Sequence, residues 1–94
     1  MYSINIQFEW DDKKSSSNKI KHGIAFDAAK DLWNDSNRIE IETSYQIEER
    51  TILIGKVKNK LWTAIFTQRE DIIRIISVRR ARKRETKLYD QKNG

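Results

Sequence analysis

Ile4, Ile6, Phe8 and Trp10 fall two apart, with Asn5, Gln7 and Glu9 between them, the alternation of a strand with one buried face. Asp11 or Asp12 then suits a helix N-cap, and a short polar helix is predicted over about Asp12–Lys21. His22-Gly23 ends it, since glycine suits the left-handed position after a helix. Asp27 caps or opens a second helix, and Phe26, Ala29 and Trp33 share one face at spacings of three and four. Asn34-Asp35-Ser36-Asn37 is a turn by composition.

A run of strands follows. Arg38–Tyr45 turns Ile39 and Ile41 one way and Glu40 and Glu42 the other. Arg50–Lys58 sets Ile52 and Ile54 opposite Leu53 and Val57, so both of its faces are partly buried. Lys58-Asn59-Lys60 reads as a hairpin turn into Leu61–Gln68, and Arg69-Glu70-Asp71 turns the chain again. Ile72–Arg79 is the most hydrophobic segment and is expected inside the sheet. Such tight spacing argues for an antiparallel meander, because parallel neighbours need long crossovers. Arg80–Gln91 reads as a polar helix with Ala81, Leu88 and Tyr89 available to pack. The expectation is one α+β domain over residues 1–94: an antiparallel sheet with two N-terminal helices and one C-terminal helix.

Composition narrows the setting. The chain has no cysteine, which excludes disulfides and fits a reducing compartment. No apolar run approaches the roughly 18–20 residues of a membrane span, and the N-terminus lacks signal-peptide character, so a cytoplasmic protein is expected. The net charge of +5 is uneven: residues 1–50 hold 7 Lys/Arg against 10 Asp/Glu, residues 51–94 hold 12 against 4. A basic half of +8 attracts polyanions, RNA or DNA foremost, and would attract an acidic protein equally well.

Two blocks of residues carry a resemblance. The first is Phe8-Glu9-Trp10-Asp11, Lys14, Asn18, Lys21-His22-Gly23, Phe26 and Ala29. The second is Glu49-Arg50, Ile54-Gly55, Thr67, Arg69, Ile73-Arg74-Ile75-Ile76-Ser77, Arg79-Arg80-Ala81, Arg84-Glu85 and Tyr89. In order and spacing they resemble the BrnT toxins of type II toxin–antitoxin pairs. The resemblance implies a RelE-like fold, cleavage of RNA with or without the ribosome, and neutralisation by a BrnA-type antitoxin. It also implies contact with DNA only indirectly, through that antitoxin. Ser44-Tyr45-Gln46-Ile47 departs from the pattern, which more often has a His- or Gly-containing loop there.

Metal-free RNA cleavage needs a base for the 2′-hydroxyl, an acid for the leaving 5′-oxygen and positive charge on the phosphorane. Arginine suits the last, with a fixed fork of donors and a charge that does not titrate. If Ile72–Arg80 stays extended, Arg74 and Arg80 share one face and Ser77 and Arg79 the other. Arg69 leaves the preceding strand at the adjoining turn and Arg50 begins an earlier one, so these guanidiniums are placed to line one end or face of the sheet. Arg74 interrupts a very apolar strand, where a charge must find a partner or a cleft. Glu49, beside Arg50, is the first candidate base and Glu85 the second. Tyr89 or Lys60 serves as acid or phosphate ligand, with packing an equal alternative for Tyr89.

His22 suits proton transfer near neutrality, but a helix C-terminus favours a capping role. One histidine, no cysteine and scattered carboxylates make no transition-metal ligand set, and no cofactor is expected. The run Arg79-Arg80-Ala81-Arg82-Lys83-Arg84 is read as a basic patch opening a helix, with Arg80, Lys83 and Arg84 on RNA phosphates. Trp10 and Trp33 fit core positions, whereas Trp62 is free to stack a base. The competing reading is a basic α+β module that binds nucleic acid or an antitoxin without catalysis.

Overall fold

The computed structural model describes residues 6–44 and 49–93; Ile4 of the expected first strand and the Tyr45-Gln46-Ile47 segment lie outside them. The described elements are β1 (Gln7–Glu9), α1 (Asp12–His22), α2 (Phe26–Ala29), a 3₁₀ turn (Lys30–Asn34), β2 (Ile39–Ser44), β3 (Glu49–Val57), β4 (Lys60–Arg69), β5 (Ile72–Arg80) and α3 (Lys83–Asn93). Local chemistry sets their ends. The Asp11 carboxylate accepts from the amides of Lys13 and Lys14, capping α1, and Gly23 closes it at φ 85°. Lys58 and Asn59, both at positive φ, make the two-residue hairpin from β3 to β4. The second helix begins at Phe26, so Asp27 sits in its first turn, and the Leu32–Trp33 stretch tightens to 3₁₀.

The sheet order is β1-β5-β4-β3-β2. β2 to β5 form the expected antiparallel meander, but β1 runs parallel to β5, with Phe8 opposite Ile73 and Glu9 opposite Arg74. Everything between β1 and β5 acts as the long crossover that a parallel pair requires. One irregularity matters more. Ile65 pairs with Ser77 but Phe66 with Ile75, so Ile76 is an extra residue bulged out of β5.

One sheet face, called here the helix face, carries Leu53, Trp62, Ala64, Phe66, Ile73, Ile75 and Val78 against Phe26, Ala29, Leu32 and Trp33. Trp33 lies edge-on between Phe8 and Phe66, with ring centroids 5.1 and 5.0 Å away. Each large apolar side chain so buried stabilises the fold by about 1.5–3 kcal/mol. The opposite face, the α3 face, is covered over only part of its area, where Tyr89 meets Ile39 and Ile54 with Ile52, Leu61 and Ala81 around them.

Two polar side chains hold this arrangement. Asn18 of α1, only 7% exposed, donates to the carbonyls of Ile24 and Val78 and accepts from the Val78 amide. Because β1 pairs only with Ile72–Arg74, Asn18 supplies to Val78 the two bonds that a longer β1 would have made. Asp35 accepts from the Tyr89 hydroxyl and the amides of Asn37 and Lys56, tying the turn to β3 and α3. Burial raises the Asp35 carboxyl, and these donors together pull it below its ordinary value. Among the described residues no helix is long and apolar enough to cross a membrane.

Candidate functional site

Strand alternation and the bulge decide which charged side chains meet. Without an extra residue, Arg74 and Arg79 would point to opposite faces. Ile76 shifts the phase of β5 by one residue, so Arg74, paired with Thr67, and Arg79, paired with Thr63, both belong to the α3 face. Arg80, paired with Trp62, is turned to the helix face instead. The expected pairing of Arg74 with Arg80 on one face is thereby corrected to Arg74 with Arg79.

At one end of this face Arg69, Arg74, Thr67, Ile72 and Glu9 surround a cavity of about 250 Å³. Arg74 Nη1 donates to Glu9 Oε2 at 2.9 Å, and both side chains are about half exposed, 49% and 48%. An ion pair so open to water contributes little to stability, and its groups are accessible to a ligand. Thr43 and Arg50 are partners across β2 and β3, and the register puts Arg50 on the same face as Ile52 and Thr67.

Farther along the face stands a tighter arrangement. Arg79 donates from Nη1 and Nη2 to the two oxygens of Glu85, each at 2.8 Å. Glu85 also accepts from Thr63 Oγ1 at 2.9 Å and from the Arg82 amide at 2.7 Å. The last bond is the carboxylate half of a capping box at the start of α3. Hydrogen bonds from Arg79 hold the Glu85 carboxyl down at about 2 against the opposing effect of burial, and the same bonds raise Arg79. Thr63 and Thr67 are four residues apart on β4, so Arg74 and Arg79 are separated by roughly 13 Å of strand.

The remaining basic candidates gather where β5 hands over to α3. Lys60 opens β4 beside Leu61, whose carbonyl accepts from the Ala81 amide, and Lys83, Arg84 and Lys87 line a cavity of about 560 Å³ on α3. β5 continues through Arg80 and α3 starts at Lys83, so the basic run is a strand end followed by a helix. The expectation that the whole run opens a helix is thereby corrected: Arg79 and Arg80 are strand residues.

Four expected residues stand elsewhere. Glu49 borders a different cavity, with Glu40, Glu42, Thr51, Gln68 and Glu70, because alternation turns it to the sheet face opposite Arg69 and Arg74; Arg50, in register with their face, lines this cavity too. Tyr89 is 5% exposed, its hydroxyl donates to Asp35 at 2.7 Å, and burial with that bond pushes its pKa up to about 12. It is a core residue and leaves the RNA-binding set. Trp62 is 8% exposed, with the Arg80 guanidinium 5.4 Å above its ring, so it has no face open to a base. Both faces of β4 are buried, which is why its alternation misled. His22 is the exposed last residue of α1.

The sequence reading gives no site role to Glu9, Thr63 or Thr67, although Glu9 and Thr67 stand in the two blocks that carry the resemblance. Glu9 appears in the alternation only as an outward polar residue, and only the parallel β1–β5 pairing brings it to Arg74. No curated protein matches the chain significantly. Residues 10–85 match the family described as "Ribonuclease toxin, BrnT, of type II toxin-antitoxin system".

Proposed function

This chain belongs to the BrnT family of ribonuclease toxins of type II toxin–antitoxin systems, and from that premise we propose that it is a metal-independent endoribonuclease acting through its arginine-lined α3 face. The observation that carries this reading is that Arg69 and Arg74 line one cavity and Arg79 stands on the same sheet face, which α3 leaves partly open, with Arg50 on that face by register. Guanidinium groups fixed on a sheet supply the charge that a cleaving phosphate develops, and they need no reorganisation as it develops. Glu9, in the cavity with Arg69 and Arg74, replaces Glu49 as the carboxylate placed to accept a proton. The 2′-oxygen attacks phosphorus while its proton passes to Glu9. The 5′-oxygen departs with a proton from solvent, to which this cavity is open, leaving a 2′,3′-cyclic phosphate.

Lys60, Lys83 and Arg84 take the phosphates flanking the cut, so that the strand runs from the β4–β5 hairpin toward α3, while Arg80, turned to the helix face over Trp62, leaves the RNA-binding set. Growth arrest follows from destruction of messenger RNA, in the cytoplasm and with or without the ribosome. A BrnA-type antitoxin opposes it by covering the basic face, and through that antitoxin alone the pair reaches DNA. The chain acts as one domain.

Purified protein incubated with a messenger transcript in EDTA tests the proposal. Discrete cuts ending in cyclic phosphate are expected, and they are expected to vanish in Arg74→Ala. Absence of cleavage with and without translating ribosomes would leave a binding module without catalysis. Cleavage that persists in Arg69→Ala and Arg74→Ala would move the site off this face.

A further inference from the structure

We propose that Glu85 is a positioning residue of the cleavage site, holding the Arg79 guanidinium so that its Nε–Nη2 edge faces the phosphate. This rests on the reading of the α3 face as the RNA face.

The geometry of the guanidinium leads to it. Arginine carries five N–H donors: one on Nε and two on each Nη. Glu85 takes one from Nη1 and one from Nη2, and the second Nη1 donor reaches the Arg80 carbonyl at 3.3 Å. The Nε–H and the outer Nη2–H remain, side by side on one edge, in the spacing that matches two phosphate oxygens. A guanidinium gripped end-on in this way loses the freedom to rotate about its last bonds, so the outward edge is set before RNA arrives.

Glu85 is itself held. Thr63 donates to it from β4 and the Arg82 amide donates from the start of α3, so the carboxylate cannot follow Arg79 outward or swing away. Arg79 and Glu85 side chains are 21% and 15% exposed, which leaves the pair reachable along one side but shields it from free exchange with water. A carboxylate accepting from so many donors is a poor proton acceptor, in keeping with orientation as its role in place of the base function read from sequence. The bulge at Ile76 and the cap of α3 thus serve one end: the first brings Arg79 to this face and the second fixes its angle.

A double-mutant cycle on purified protein tests this, following cleavage at one mapped site of a messenger transcript. Arg79→Ala is expected to lower kcat by about 100-fold or more, the scale of losing one preorganised oxyanion donor. Glu85→Gln should lower kcat about 10-fold or more with KM within about twofold, because orientation acts on the transition state more than on binding. Glu85→Asp should recover part of the loss, and Arg79→Ala/Glu85→Gln should be no slower than Arg79→Ala alone. The Nε–H resonance of Arg79, sharp in the parent, should broaden in Glu85→Gln. If Glu85→Gln does not fold, Thr63→Val removes one of the restraints on Glu85 and should show a smaller loss of kcat in the same direction. Unchanged kcat in Glu85→Gln, or independent losses in the double variant, would overturn the positioning role. Unchanged kcat in Arg79→Ala would instead overturn the assignment of Arg79 to the site.

Discussion

Replacing Asn18 by alanine should destabilise the fold more than any change to the exposed charges. Three hydrogen bonds disappear: Asn18 Nδ2 to Ile24 O and to Val78 O, each at 2.8 Å, and Val78 N to Asn18 Oδ1 at 3.2 Å. Each is worth about 0.5–1.5 kcal/mol net, and the longest falls at the low end. The Val78 amide and carbonyl would be left in a region where Val78 is fully buried, and an unsatisfied buried group adds about 1–3 kcal/mol. A water admitted to the vacated space recovers part of that. The sum is a loss of about 2–4 kcal/mol. For a chain of this size each kcal/mol moves the melting temperature by about 4–8 °C, so a fall of more than about 10 °C is expected. Urea unfolding followed by tryptophan fluorescence reads the loss directly, and the m-value should stay constant. A loss under about 1 kcal/mol would refute the idea that Asn18 stands in for a missing length of β1. A neutral Asn18→Leu would do the same, because leucine restores volume but none of the bonds.

Tyr89→Phe should cost about 1–3 kcal/mol, since it removes a bond to the ionised Asp35, while RNA affinity measured by filter binding stays unchanged. The Tyr89 contribution is complete below the ordinary tyrosine value near pH 10 and is lost as pH rises through about 12, so the stability gap between the parent and Tyr89→Phe should close across that alkaline window. The sign is opposite for Glu85, whose stabilisation is complete above its unfolded value of 4.5 and is lost as pH falls toward about 2. Glu85→Gln should flatten the stability–pH curve within that acid window alone. Lys83→Ala and Arg84→Ala should each reduce the slope of log affinity against log salt by about 0.7 for single-stranded RNA, without creating a preference among sequences.

How far the fold was legible depended on whether the signal was local. Asp11 and Gly23 marked the ends of α1 because cap chemistry acts within a few residues, and Lys58-Asn59 marked the hairpin for the same reason. The parallel pairing of β1 was hidden, because alternation reports a buried face and says nothing of the neighbour. Nor does any residue announce the bulge. Ile75-Ile76-Ser77-Val78 is an unremarkable β sequence, and the extra residue shows only against its partner strand. That one residue changed which arginines share a face. Arg74 stood out as charge in an apolar strand, Arg69 by its place at the adjoining turn and Arg79 by alternation, whereas Glu9 and Thr63 became visible only through pairing with Arg74 and Arg79. Glu49 is the converse case: adjacency to Arg50 in sequence puts it on the opposite sheet face from Arg69 and Arg74.

The measurement closest to the central claim is an NMR titration with an RNA oligonucleotide whose cut-site 2′-hydroxyl is replaced by hydrogen, so that it binds without being cleaved. Amide and side-chain shifts are expected at Thr67, Arg69, Arg74, Ser77 and Arg79, with Glu40, Glu42 and Glu70 unmoved. Shifts concentrated on the acidic cavity, or spread evenly over α1 and α3 with the β5 arginines silent, would contradict a cleavage face built from the sheet.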